Sequence, residues 1–132
     1  MKTETAIAEI WTVGFIDLIV YQKAFSLAMD IFETSKHFPP EEKYALTDQI
    51  RRASRSVCAN IAEGYRKRYY RKYFVAKCVD SDGENSELQV WMEFARACNY
   101  IKASTKSDWL QQSQEVGKLL NDMINNPWKY GK

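Results

Sequence analysis

Residues 47–74 read TDQIRRASRSVCANIAEGYRKRYYRKYF, and this stretch decides the fold. Ile50, Ala53, Val57 and Ile61 recur at steps of three and four, the spacing of one face of an α-helix. Thr47 is the expected N-cap, with Asp48 in the first turn, and Gly64 the expected stop. At about 100° per residue, Arg51, Arg55, Ala59 and Ala62 fall opposite the stripe, which makes the outer face half basic and half small. Such a face admits close approach of another surface, and its arginines suit either carboxylates of a neighbouring subunit or phosphates. The plainer alternative is a solvated face, the ordinary fate of charges opposite an apolar stripe.

Helical periodicity continues on both sides. From Asp17, the positions Tyr21, Ala24, Phe25, Ala28, Ile31, Phe32 and Ser35 predict a first helix ending before Pro39-Pro40. Pro40-Glu41-Glu42 then suits a short turn, since proline presets the backbone and acids favour a helix amino end. Past Tyr65-Arg66-Lys67-Arg68-Tyr69, a third pattern runs without proline to about Cys98, interrupted only by Gly83. A helix of that span is roughly 43 Å long. Its main stripe is Phe74, Cys78, Ser81, Asn85, Leu88, Met92 and Ala95, and a second apolar band holds Val75, Val79, Val90 and Phe94. One buried face serves a monomer; two point to an oligomer. Ser104 or Ser107 is expected to cap a last helix, with stripe Trp109, Ser113, Val116, Leu120, Met123 and Ile124, broken at Asn125-Asn126-Pro127. Four helices and short loops predict an all-α, antiparallel up-down four-helix bundle over residues 15–127, with an N-terminal arm at 1–14 (Ile7, Ile10, Trp11, Val13) and a short tail at 128–132.

The 132 residues suffice for one domain with its own core. The net charge of +2 conceals a strong asymmetry: residues 48–77 hold nine Lys/Arg against Asp48 and Glu63, hence +7, and residues 78–94 hold five acids and no base, hence −5. Cys58, Cys78 and Cys98 are an odd set without a CxxC pair, read as packed thiols of a cytoplasmic protein. No apolar run approaches the roughly 20 residues of a bilayer span.

Catalytic and metal chemistry find little support. Asp80-Ser-Asp-Gly-Glu-Asn-Ser-Glu87 resembles a calcium loop, but its glycine stands fourth instead of sixth and Trp91 occupies the twelfth place. On a helix, Asp80, Glu84 and Glu87 form a ladder placed to meet arginines. A di-metal bundle site needs Glu-x-x-His pairs, and the single histidine, His37, lies beside prolines. No nucleophile elbow, Walker loop or GxGxxG is present. No enzyme, metal, cofactor or small-molecule substrate is therefore expected. Asn60 and Glu63, with Ser81 and Asn85, are expected to form a structural polar layer, through an Asn60–Asn85 or Glu63–Arg contact that fixes helix register. Arg66, Lys67, Arg68, Arg71 and Lys72 interleave with Tyr65, Tyr69, Tyr70 and Tyr73, a composition that suits phosphates and unpaired bases.

Phe15-x-Asp-Leu-x-Val-Tyr-Gln-Lys-Ala24, Phe38-Pro39, Glu42-x-Tyr44-x-Leu46, Gln49-Ile-Arg-Arg-Ala53, Ser56 and Asn60-Ile-Ala-Glu-Gly64 together resemble the small bacterial proteins encoded in intervening sequences of 23S ribosomal RNA genes. The likeness covers roughly residues 15–125 and departs at Tyr69-Tyr70, where the family often starts its third helix with Ser. It implies a helical bundle assembling as a ring-like homo-oligomer, a pentamer, without catalytic activity and associated with structured RNA. The expectation is thus an RNA-binding homo-oligomer using Arg51, Arg52, Arg55, Arg66, Lys67, Arg68, Arg71 and Lys72. The alternative is an interaction scaffold in which those side chains form subunit interfaces.

Overall fold

The computed structural model of the chain describes residues 14–131, so the apolar arm residues Ile7, Ile10, Trp11 and Val13 lie outside it. Four α-helices follow one another: α1 (Ile19–Ser35), α2 (Asp48–Arg66), α3 (Arg71–Ala97) and α4 (Ala103–Asn125). Among the described residues there is no strand.

Cross-helix contacts fix the directions. The Ser81 hydroxyl donates to the Val57 carbonyl, and Gly64 sits against Phe74 and Lys77. Asn85 meets Ser113, and Glu93 pairs with Lys106. Lys23 pairs with Glu115, and Trp109 donates to Asp30. In each pair rising numbers on one helix meet falling numbers on the other, so neighbours run antiparallel, as short connections require.

The interior has two apolar compartments. One gathers Leu27, Ile31, Ile50, Leu88, Met92 and Trp109, the other Val20, Val57, Ile61, Phe74, Val116 and Leu120. Between them lie the buried polar residues Ser54, Ser81, Asn85 and Ser113. Asn85 donates to the Ser113 carbonyl at 2.9 Å and accepts from its hydroxyl at 2.8 Å. Gln89 adds a bond to Ser113 Oγ, and Ser54 bonds back to the Arg51 carbonyl. Buried polar atoms so satisfied set helix register without leaving an orphaned group.

Asn60 and Glu63 stand outside that layer, contrary to the sequence reading. Asn60 turns back on its own helix to the Ser56 carbonyl at 3.0 Å, and Glu63 pairs with Lys77 at 3.0 Å on the surface. Their angular position on α2 carries them past the buried stripe.

The seven-residue main stripe of α3 is buried throughout, while Val79, Val90 and Phe94 of its second band are about half exposed. On α1 the phase differs from expectation. Val20, Ala24, Leu27, Ala28, Ile31 and Ser35 are buried, and Phe25 lies outside at 49% exposure. Thr47 is no cap: it has helical dihedrals of −58° and −50° and no capping bond, because a wide turn over Lys43–Thr47 feeds directly into α2 from the turn at Pro40–Glu42. Neither Ser104 nor Ser107 caps α4, which begins earlier, after Lys102.

Gly64 does not stop α2, which continues to Arg66. A Cβ on Gly64 would lie 2.9 Å from Lys77 Cβ and 3.4 Å from the Phe74 carbonyl oxygen. The glycine is there because α2 and α3 touch at that level. At the far end, α3 closes with Asn99 at φ 62°, where the Asn99 and Tyr100 amides donate to the carbonyls of Arg96 and Ala95. That left-handed cap turns the chain into α4.

Candidate nucleic-acid interface

Close contact at Gly64 lets Lys67–Tyr70 span from α2 to α3, and the buried Phe74 and Cys78 anchor the start of α3 beneath it. Arg68 is consumed in holding this turn. Its guanidinium lies 4.5 Å from the Tyr65 ring centroid and 4.8 Å from that of Tyr69, and it donates to the Tyr65 carbonyl and the Tyr69 hydroxyl. Arg66, Lys67, Arg71 and Lys72 are exposed. None of the four takes part in an ion pair among the described residues.

A second segment reaches the same end of the bundle. After α4, a 3-10 turn over Pro127–Lys129 folds back so that Gly131 packs against the Arg68 carbonyl and the Tyr130 ring lies 6.0 Å from that of Phe74. Asp122 fastens it by accepting from Tyr130 Oη at 2.7 Å, Asn126 Nδ2 at 2.8 Å and Lys129 Nζ at 3.0 Å. Trp128 is thereby held at this end, 55% exposed, beside a turn where Tyr69 and Tyr70 are 66% and 71% exposed. Sequence reasoning missed this segment; the available signal was two aromatics just beyond a helix-ending proline.

The hydrogen bonds from Tyr130 and Lys129 hold the Asp122 carboxyl below its ordinary pKa, and burial together with that carboxylate pushes Tyr130 up to about 12. A depressed acid contributes stability above its unfolded pKa of about 4 and loses it as pH falls through the lower folded value. A raised phenol contributes below about 10 and loses it as pH rises through the folded value. Docking of this turn is therefore expected to be firm between these limits. NMR shifts of the Tyr130 ring should change on both flanks, and Asp122→Asn should abolish the acid-side change.

The remaining expected residues lie elsewhere. Arg51, Arg52 and Arg55 are roughly 16–22 Å along α2 from Arg66, so the eight cations do not form one patch. Arg51, expected to face outward, turns towards α1: its Nε donates to Ser35 Oγ at 2.8 Å and its guanidinium covers the Phe32 ring at 4.8 Å. Arg55 is exposed and lies over the same ring at 5.6 Å. Arg52 lines a cleft of about 250 Å³ between α2 and α3 that also contains Glu84 and Glu87.

Cys58 and Cys78 are buried and their thiols pushed up to about 11 and about 12 by desolvation, whereas Cys98 is exposed. Among the described residues no cluster of three His, Cys, Asp or Glu side chains forms a metal-binding group, and no helix is long and apolar enough to cross a membrane.

The family model described as 23S rRNA-intervening sequence protein matches residues 16–122. No curated protein matches the chain. Among solved structures, a 1.70 Å crystal structure of a protein of unknown function from the S23 ribosomal protein family of Bacteroides thetaiotaomicron VPI-5482 is similar, with TM-score 0.72 and 28% identity, covering 80% of this chain and 98% of that one. The family match extends from the turn before α1 to the last turns of α4, and the chain belongs to the 23S rRNA-intervening sequence protein family.

Proposed function

We propose that the protein is a non-enzymatic, cytoplasmic homo-oligomer that binds RNA at the α2–α3 turn. One observation carries this reading: Arg66, Lys67, Arg71 and Lys72 are exposed together and without ion pairs among the described residues. Cations left free at one turn gain affinity for phosphates by counterion release, without base readout. Arg52 and Arg55 can serve only a strand that continues along α2. Assembly into a ring, a pentamer in the reading favoured by family likeness, would repeat the patch and add modest contacts by avidity. Two apolar surfaces that no described residue covers support assembly: the Val79, Val90 and Phe94 band of α3, and a groove of about 400 Å³ between α1 and α2 that includes Phe25, Met29, Ala59 and Ala62. The second reading is a scaffold with its cations at subunit interfaces; Glu84 and Glu87, which line an open cleft with Arg52 and form no ion pair among the described residues, would take a neighbouring copy's cations.

Filter binding of a structured RNA separates the two. Between 50 and 200 mM salt, affinity of the native protein is expected to fall by about 60-fold or more, a slope near 3 from four phosphate contacts. Replacing Arg66, Lys67, Arg71 and Lys72 by glutamine should flatten that slope while light scattering gives an unchanged mass. Unchanged RNA affinity in this variant, or collapse of the assembly, would favour the scaffold.

A further inference from the structure

We infer that the ligand of the α2–α3 end is an unpaired RNA strand, with bases stacking on Tyr70 and Trp128 while its phosphates lie along Arg66, Lys67, Arg71 and Lys72. This rests on the nucleic-acid reading above and names the form of polynucleotide it takes. The first ground is that cations alone suffice for phosphates and would accept a duplex as readily as a single strand. Yet this end also displays Tyr70 at 71% and Trp128 at 55% exposure.

The second ground is that, among the described residues, these two rings are not engaged by any bonding or stacking partner. Arg68 occupies the faces of Tyr65 and Tyr69, Lys77 lies over Tyr73, and Tyr130 is tied to Asp122 and Phe74. Neither Tyr70 nor Trp128 makes a side-chain hydrogen bond, a ring–ring contact or a cation–π contact among the described residues. Both are nonetheless carried on fixed backbone. The Tyr70 amide donates to the Lys67 carbonyl and its carbonyl opens α3 by accepting from Phe74. Trp128 is bracketed by Asn126 and Lys129, both bonded to Asp122. A ring presented on a pinned backbone loses little freedom when a base stacks on it.

The third ground is chemical. Every base has a π-face, which a duplex hides inside its own stack and a single strand offers freely. Stacking on such a ring changes affinity by about 5- to 160-fold per base. With two such rings the protein is therefore expected to prefer single strands by at least about 10-fold.

The test uses the full-length protein and a labelled 12-nucleotide RNA, alone or annealed to its complement, in anisotropy titrations at fixed salt. The native protein should bind the single strand at least 10-fold more tightly than the duplex. Tyr70→Leu with Trp128→Leu should lose at least 10-fold for the single strand and leave the duplex unchanged. A 2-aminopurine within the strand should be quenched by the native protein and not by this variant, which reports stacking independently of affinity. Equal binding of both forms, or a double variant with native single-strand affinity and quenching, overturns the inference while leaving the electrostatic reading standing. The glutamine variant at Arg66, Lys67, Arg71 and Lys72 should weaken both forms; if it binds both as the native protein does, the nucleic-acid reading itself falls.

Discussion

Trp109→Ala is expected to lower the unfolding free energy by about 3–5 kcal/mol, with a melting temperature lower by roughly 10–20 °C. Trp109 is 1% exposed and is the largest fully buried side chain. It shares a compartment with Leu27, Ile31, Ile50, Leu88 and Met92, so the hole left by alanine is walled by side chains from all three other helices. The cost combines lost transfer energy with a cavity that rigid neighbours cannot close. Its indole N–H donates to Asp30 at 3.3 Å, but that partner is at the surface and can turn to water, so packing dominates. Trp109→Phe, which keeps most of the apolar body, should lose distinctly less. Urea unfolding at fixed protein concentration measures both; a loss below about 1.5 kcal/mol for the alanine variant would mean that the compartment collapses around the vacancy.

Gly64→Val is expected to cost about 2–3 kcal/mol by overpacking, while Gly83→Ala gains about 0.5–1 kcal/mol. Both glycines lie within helices, where a side chain restricts the unfolded chain and favours the helix. The difference is what stands opposite. An added Cβ at Gly83 meets nothing within 4 Å, whereas at Gly64 it would sit 2.9 Å from Lys77 Cβ. That carbon is fixed to the α3 backbone and cannot swing aside, so the two helices must part, and the turn carrying Arg68 is strained with them. Gly64→Asn separates this account from a helix-stop account, because a left-handed C-terminal position accepts asparagine and a helix contact does not. Thermal unfolding of the three variants reads the signs directly, and a Gly64→Asn protein as stable as the native one would refute the packing role.

Legibility in the sequence followed physical scale. The α3 stripe could be read in full because period and polarity agree along its whole length: Phe74 through Ala95, with Ser81 and Asn85 in the middle, are the buried set. On α1 the reading failed where size was mistaken for burial. Phe25 and Phe32 look like core, but the smaller Val20 and Leu27 point inward, and the Phe32 ring is covered by Arg51 and Arg55. Gly64 was misread because a glycine that ends a helix and one that admits a neighbour look alike until the neighbour is known. The same limit applies to the basic residues. Composition located the cluster at the α2–α3 turn, but whether a given cation is free depends on partners close in space, and Arg51 and Arg68 have such partners. The docking of Tyr130 and Trp128 beside that turn comes from a contact between the last residues and the middle of the chain, which no local pattern announces.

The contrast among the three thiols provides a ready labelling handle. Cys58 and Cys78 are buried with thiols pushed upward and are expected to resist alkylation at neutral pH, while Cys98 stands exposed just past the last turn of α3. A maleimide dye will therefore mark one position per chain without any engineered substitution. That position is at the opposite end of a rod about 40 Å long from the basic turn, so a fluorophore there can count any copies that assemble, by energy transfer or photobleaching, while the basic end stays chemically untouched.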